Sequence, residues 1–100
     1  MDDMTKEKFS ELSKALGHPY RIEIINILNN LESCSTSMVG NIVNQLPISQ
    51  STVSQHLKIL KESGWIEGNI DGPRVCYCLK NDIFEQYTEM LNELKNKQKK

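Results

Sequence analysis

Residues 48–66 read ISQSTVSQHLKILKESGWI, and the predicted fold follows from the helix and turn signals in this segment. Ser49 is a residue type that caps helix N-termini, because its hydroxyl can accept a hydrogen bond from a backbone N–H of the first turn. Gly64 is a typical helix end, since glycine adopts the left-handed conformation without steric cost. The sequence therefore predicts a helix from Ser49 to about Ser63.

The two faces of this helix differ in chemistry. Val53, Leu57 and Leu60 share an apolar face that can pack against a preceding helix. The opposite face is polar and almost free of acid, which suits either a solvated surface or a DNA-binding surface. Short hydroxyl and amide side chains near a helix N-terminus let the backbone approach DNA and donate to phosphates or base edges. The polar face consists of Ser51, Ser54, Gln55 and Lys58.

The segment after this helix indicates a β-hairpin. Two strand-like runs, 65–70 and 75–79, are joined by Asp71-Gly72-Pro73-Arg74, which is a strong turn signal. Arg74 at such a tip presents one cation, as expected of a loop that enters a minor groove or contacts a phosphate. An exposed arginine on a turn is common, but its position one hairpin after the polar face favours DNA binding.

The remaining predicted elements are helices. The helical period predicts a first helix over about 5–16, with Thr5 as its cap, a second over 19–31, a short third over 39–46 and a last one over 82–95. The order helix-helix-helix-helix-strand-strand-helix is that of a winged helix-turn-helix. We therefore expect a mainly α fold with a small β-hairpin wing, and the whole chain as one DNA-binding domain.

Composition excludes several classes of protein. A chain of 100 residues with 38% hydrophobic and 25% charged residues is typical of one soluble domain. It has no apolar run near the roughly 20 residues that cross a bilayer and no signal peptide, so we expect a cytoplasmic protein with no membrane partner. It also lacks a glycine-rich phosphate loop and a histidine spaced usefully from a carboxylate, so we expect no enzyme. With a net charge of −1, any DNA affinity must come from a few well-placed groups.

Three segments resemble the ArsR/SmtB family of bacterial repressors. They are LGHPYRI at 16–22, ISQSTVSQHLKIL at 48–60 and SGWI at 63–66, and the resemblance covers roughly 5–95. It implies a homodimeric winged helix that represses its operon until an inducer binds. It also implies that five polar side chains face the major groove, with Lys58 near a phosphate; the five are Gln50, Ser51, Ser54, Gln55 and His56. The candidate DNA-binding residues are Gln50, Ser51, Thr52, Ser54, Gln55, His56, Lys58 and Arg74.

We expect a homodimer on physical grounds as well. The apolar faces of the first and last helices are broader than a chain of this length can easily cover. Two-fold symmetry would place two recognition helices roughly 34–36 Å apart, so the expected partner is duplex DNA with an inverted-repeat operator. The alternative is that both helices bury their apolar stripes within one subunit. The candidate interface residues are Phe9, Leu12, Ile83, Phe84, Tyr87, Met90, Leu91 and Leu94.

The sequence departs from the metal sites of the family it resembles. Residues 35–38 read STSM where some members carry a cysteine pair, and the last helix has no histidine. The usual metal ligands are therefore missing. His18, in the Gly-His-Pro corner, is expected to hydrogen-bond at a helix end rather than to bind metal.

The three cysteines are the remaining candidates for a sensor site. An odd number of cysteines in the cytoplasm does not favour a disulfide framework. Cys76 and Cys78 alternate along a strand and so share one side of it. There they could bind a soft metal or metalloid, such as zinc or arsenic, or undergo thiol oxidation, with Cys34 as a third ligand if the fold brings it close. Small half-buried residues on a wing strand are the structural alternative.

Two other functions remain compatible with these patterns. A winged helix can mediate protein assembly without DNA, although an apolar or acidic recognition face would be expected in that case. The domain could also bind DNA constitutively, without any ligand response, which the missing metal ligands favour.

Overall fold

The computed structural model describes residues 1–30, 42, 44–72 and 74–96. Within this part of the chain, four helices and one β-hairpin form the mainly helical winged helix-turn-helix that the sequence predicts. Of the short helix predicted over 39–46, Ile42 is helical and buried, while 39–41 and 43 lie outside the described residues. The elements are α1 (Asp3–Ala15), α2 (Pro19–Asn29), α3 (Gln50–Ser63), β1 (Ile66–Asp71), β2 (Arg74–Leu79) and α4 (Asn81–Asn96).

Helix α1 begins two residues before the predicted start, because Asp2 caps it instead of Thr5. The Asp2 carboxylate accepts a hydrogen bond of 2.8 Å from the backbone N–H of Thr5. The hydrogen bonds from Thr5 lower the pKa of Asp2, since they favour its charged form. The carboxylate also complements the positive end of the helix dipole.

Helix α2 begins at Pro19, as the sequence predicts, and His18 is its N-cap. The Nδ1 atom of His18 accepts a hydrogen bond of 3.1 Å from the backbone N–H of Tyr20. The expectation that His18 hydrogen-bonds at a helix end is therefore confirmed. The helix ends at Asn29 with Asn30 as its C-cap, two residues before the predicted end.

Trp65 connects the hairpin to the helices. Its indole Nε1 donates a hydrogen bond of 2.8 Å to the carbonyl oxygen of Leu12 in α1. Its ring packs edge-on against Phe84 and Tyr87 of α4, with centroid distances of 4.9 and 5.0 Å. One buried side chain thus holds three elements in a fixed relation. Among the described residues, the largest fully buried side chains are Trp65, Leu12, Ile24, Ile42, Leu57, Leu60, Ile66 and Val53.

The hairpin is a two-stranded antiparallel sheet with one defined register. Ile66 pairs with Leu79 at its base and Asp71 with Arg74 at its tip, so the predicted turn is confirmed. Gly72 at the tip has a φ of 61°, which glycine adopts without the strain of a Cβ. Compared with its prediction, β1 is shifted by one residue toward the tip, and β2 begins one residue earlier. None of the described helices is long and apolar enough to cross a membrane.

Candidate nucleic-acid interface

The inward face of α3 holds this helix against the core. Val53, Leu57 and Leu60 are fully buried and belong to the same core cluster as Ile42 of the preceding segment. The prediction that this apolar face packs inward is confirmed. Because a helix turns every 3.6 residues, the opposite side chains must then point away from the core.

The outward face of α3 is exposed along its length. Gln50 is exposed at the start of the helix, and its first turn contains no acidic residue. The first carboxylate on the helix is that of Glu62, near the C-terminal end. An anion can therefore approach the N-terminal half without meeting a like charge, and the positive end of the helix dipole favours it there. We name the exposed side chains of Ser51, Ser54, Gln55 and Lys58 the recognition ridge.

The start of α3 is fixed by a small hydroxyl network. Ser49 accepts a hydrogen bond of 3.3 Å from the backbone N–H of Thr52, as expected of an N-cap. Its Oγ also lies 2.9 Å from the Thr52 hydroxyl and 3.1 Å from the Ser51 hydroxyl. Thr52, one of the candidate DNA contacts, is half-buried. Its hydrogen bonds with Ser49 stabilise the start of the helix. Ser51 keeps an exposed position beside it.

His56 is predicted to face the major groove, and this prediction is wrong. Its side chain belongs to the inward face of α3 and the residue is 8% exposed. Its ring centroid lies 4.6 Å from that of His18, and its Nδ1 lies 3.4 Å from Nη1 of Arg21. Burial first, and then His18 and Arg21, lower the pKa of His56. The signal was present in the sequence, because Val53, His56, Leu57 and Leu60 follow the i, i+3, i+4, i+7 spacing of one helix face.

The hairpin forms an exposed wing beside α3. Arg74 occupies the first position of β2, opposite Asp71 at the tip. The neighbouring Ile70 is 82% exposed, so the tip projects into solvent. The side chain of Arg74 lies outside the described part of the structure, and its contact with DNA stays a prediction.

Comparison with known proteins identifies the family. The family model described as "Bacterial regulatory protein, arsR family" matches residues 18–67, from the N-cap of α2 to the second residue of β1. This match spans half of the chain and includes all of α3. The chain belongs to the ArsR family of bacterial regulatory proteins.

Relatives and solved structures agree with this assignment. An HTH-type transcriptional regulator of Methanocaldococcus jannaschii is 33% identical over 89 residues, which cover 88% of this chain and 96% of the relative. The transcriptional repressor PagR of Bacillus anthracis is 33% identical over 96 residues, which cover 91% and 88%. The homodimeric winged helix-turn-helix DNA-binding domain of a possible ArsR-family regulator from Mycobacterium bovis superposes with a TM-score of 0.73 at 21% identity, covering 95% of this chain and 88% of that one. This ArsR-family chain is thus a transcriptional regulator with a winged helix fold, and not an enzyme.

The cysteines of this ArsR-family chain differ in their bonding. Cys76 is buried and lies outside any disulfide. Cys78 is half-buried and disulfide-bonded, although the sequence does not favour a disulfide, and its Sγ accepts a hydrogen bond of 3.3 Å from Nδ2 of Asn69. Cys34 lies outside the described residues. Within the described ranges, no three His, Cys, Asp or Glu side chains converge as a metal site would require.

Some residues of the predicted dimer interface are already buried within one chain. Leu12, Ile83 and Met90 are buried in the core of the protomer, so their assignment to the interface is wrong. The sequence could not show this, because the burial of a helical stripe depends on which helices pack against it. Helix α4 covers part of its own stripe by packing on α1 and Trp65.

Three further candidates of that set are half-buried aromatic residues. The rings of Phe9 and Tyr87 join α1 to α4 at a centroid distance of 5.1 Å, and the Tyr87 hydroxyl lies 2.8 Å from that of Ser13. Phe84 packs on Trp65. Leu91 and Leu94 differ from them, since they remain 47% and 52% exposed on α4.

Proposed function

We propose that this chain binds an inverted-repeat operator as a homodimer and represses transcription by placing one α3 in each of two successive major grooves. The observation that supports this most is the recognition ridge, which is exposed on a helix whose other face is fully buried. A helix held in this way can enter a groove without exposing the core. Its hydroxyl, amide and ammonium groups are those that hydrogen-bond base edges and phosphates.

The exposed apolar residues of the terminal helices support a second copy as the partner. Leu91 and Leu94 on α4, together with Met4 at the start of α1, are large hydrophobic residues left exposed in the single chain. The similar domain from Mycobacterium bovis is described as homodimeric. A dimer would double the few basic groups, which matters for a chain with a net charge of −1. We propose the cytoplasm as its compartment, because the operator lies there.

The operator assignment can be tested with duplexes selected from a random-sequence pool. Fluorescence anisotropy would compare the selected duplex with a scrambled duplex of the same composition. The double variant Ser54→Ala/Gln55→Ala should lose about 5- to 150-fold of this preference, since one good base contact contributes about 1–3 kcal/mol of discrimination.

The matched control is Glu62→Gln, because Glu62 is exposed on the same helix but lies outside the recognition ridge. This variant should keep the preference. If the double variant also kept it, the recognition ridge would not read the operator. A wild-type protein that bound no duplex would favour a protein-interaction module instead.

The disulfide at Cys78 favours thiol oxidation as the inducing signal. Cytoplasmic disulfides are usually transient and redox-sensing. Cys78 lies in the wing strand β2, opposite Glu67, so a covalent bond there restrains the wing relative to another part of the chain. Because Cys76 lies outside any disulfide, we propose Cys34, the remaining cysteine of the sequence, as the partner. Reduced thiols at these positions could alternatively bind arsenic or zinc.

Thiol counting and operator affinity would test this signal together. Oxidised wild-type protein should differ from reduced protein in affinity, and Cys34→Ser and Cys78→Ser should each abolish the difference. Cys76→Ser is the matched control and should keep it. Titrating the reduced protein with arsenite or zinc separates metal binding from oxidation. Equal affinity under every condition would favour a constitutive DNA binder.

A further inference from the structure

A cluster of three side chains lies on the buried side of α3, away from the recognition ridge. His18 caps α2, Arg21 belongs to its first turns, and His56 belongs to the inward face of α3. The two imidazole rings are 4.6 Å apart, and Tyr20 stacks on His18 at 5.6 Å. The cluster therefore lies at the contact between α3 and the corner that joins α1 to α2.

One of the two hydrogen bonds of Arg21 defines the protonation state of His56. Its Nε donates a bond of 2.6 Å to the carbonyl oxygen of Ala15, the last residue of α1. Its Nη1 lies 3.4 Å from Nδ1 of His56. A guanidinium has donors only, so Nδ1 of His56 must be the acceptor and carry no proton. Arg21 thus connects the end of α1 to a neutral imidazole on α3.

Positive charge dominates the surroundings of His56. The titratable groups that face it are His18, Tyr20 and Arg21, all from the corner or from α2. No ion pair joins the two histidines or Arg21 to a carboxylate in the part of the chain that the structure describes. A proton added to His56 would therefore place a second cation beside Arg21, in a buried position, and remove the acceptor that Arg21 uses.

We propose that the His18–Arg21–His56 cluster is a proton-sensitive joint, in which protonation of His56 in mild acid releases α3 from the α1–α2 corner and weakens operator binding. His56 acts here as a positioning residue, because it contacts the elements that hold α3 and not the DNA. The proposal rests on the proposed function, since α3 carries the recognition ridge. The contact between Arg21 and His56 would then couple repression to pH.

The direction of the pH effect follows from linkage. Burial and the two neighbouring groups lower the pKa of His56 in the folded protein below its ordinary value of 6.5. The unfolded chain therefore takes up the proton first as the pH falls. Stability is fully present above about pH 6.5 and is lost as the pH falls from there toward the folded-state pKa. The loss is confined to that acidic window.

The sign of the effect on DNA affinity separates this joint from a direct contact. A histidine that touched a phosphate would gain a positive charge in acid and strengthen binding. A buried histidine that positions α3 predicts weaker binding in acid. The two roles of His56 thus differ in direction and not only in magnitude.

The experiment compares wild type, His56→Asn and His18→Asn, which removes the other histidine of the cluster, between pH 7.5 and 5.5 at constant ionic strength. Asparagine at position 56 keeps an acceptor oxygen for Arg21 and does not titrate, and asparagine at position 18 keeps a good N-cap. Urea unfolding and anisotropy on the selected duplex are the two readouts. The wild-type folding constant should fall by up to about tenfold more than that of His56→Asn, since a full unit of pH below the unfolded pKa corresponds to one decade.

Operator affinity should fall in acid in wild type and stay level in His56→Asn. In His18→Asn it should still fall, but at higher pH, because His18 no longer lowers the pKa of His56. NMR titration of the His56 ring protons in wild type gives a readout that needs no variant. Its midpoint should lie below 6.5 and coincide with the loss of affinity. This measurement keeps the proposal testable if His56→Asn does not fold.

Three outcomes would overturn the joint. They are equal pH dependence in wild type and His56→Asn, stronger binding in acid that requires His56, and a His56-dependent loss of stability without any change in affinity. Failure of the proposed function is distinguishable, because unfolding and NMR do not involve DNA. If no duplex were preferred at pH 7.5 while His56 still controlled stability in acid, the buried contact would be supported and operator recognition refuted.

Discussion

On α3 the buried face and the recognition ridge lie on opposite sides of the same 14-residue helix. Val53, Leu57 and Leu60 determine whether the helix is held in place, whereas the recognition ridge determines what the helix can touch. The helical period separates the two sets, so stability and recognition can change independently. His56 is the exception, because a polar side chain occupies the buried face.

Leu57→Ala should produce the largest effect and disrupt the buried face. Removing a fully buried leucine side chain leaves a cavity in the core and should cost about 2–5 kcal/mol of unfolding free energy. Urea denaturation measures this loss. Ser54→Ala on the recognition ridge is the matched comparison and should stay within about 0.5 kcal/mol of wild type. Similar losses for both variants would contradict the separation of the two faces.

Ser49→Ala should have an intermediate effect on stability, because Ser49 caps the N-terminus of α3. The alanine leaves the backbone N–H of Thr52 without its acceptor and should cost about 1 kcal/mol, measured as a fall in the free energy of unfolding. Ser49→Asn restores a capping oxygen and should recover most of that loss. A Ser49→Ala variant as stable as wild type would show that the hydroxyl network is not needed to start α3.

Lys58→Ala should have the smallest effect on stability. It tests whether a residue of the recognition ridge changes DNA affinity without changing the free energy of unfolding. Lys58 is exposed, so the free energy of unfolding should change by less than about 0.5 kcal/mol. If Lys58 neutralises a phosphate, all duplexes should bind the variant more weakly, and the slope of log affinity against log salt should fall by about 1 for each lysine removed. Lys58→Arg should preserve the slope. A change in sequence preference would instead assign Lys58 to a base edge.

The local features of this fold were predictable because short-range chemistry determines them. Ser49 and Gly64 bracket α3, Pro19 opens α2, and Gly72 marks the hairpin tip. The predicted start of α1 was two residues too late, because Asp2 and Thr5 are both residue types that cap helices and Asp2 is the one that does so. The burial of His56 was also predictable, because its spacing places it on the same helix face as Val53, Leu57 and Leu60.

The contacts between distant segments were not predictable in the same way. Arg21 and His56 are 35 positions apart, and nothing in either local pattern shows that they meet. The burial of Met90 and Ile83 within one chain likewise depends on how α4 packs. A helical stripe shows that a face will be covered, but it does not show whether its own chain or a second copy covers it.

Local sequence chemistry was enough to predict the order of the described elements, the capped start of α2, both ends of α3 and the polar composition of the recognition ridge. Propensity, capping and helical period act over a few residues and can be read directly from the chain. Only the tertiary structure decided that His56 is buried against His18 and Arg21, that Cys78 is disulfide-bonded, and that Leu91 and Leu94 stay exposed. These features depend on which surfaces meet, and that depends on the packing of the whole core.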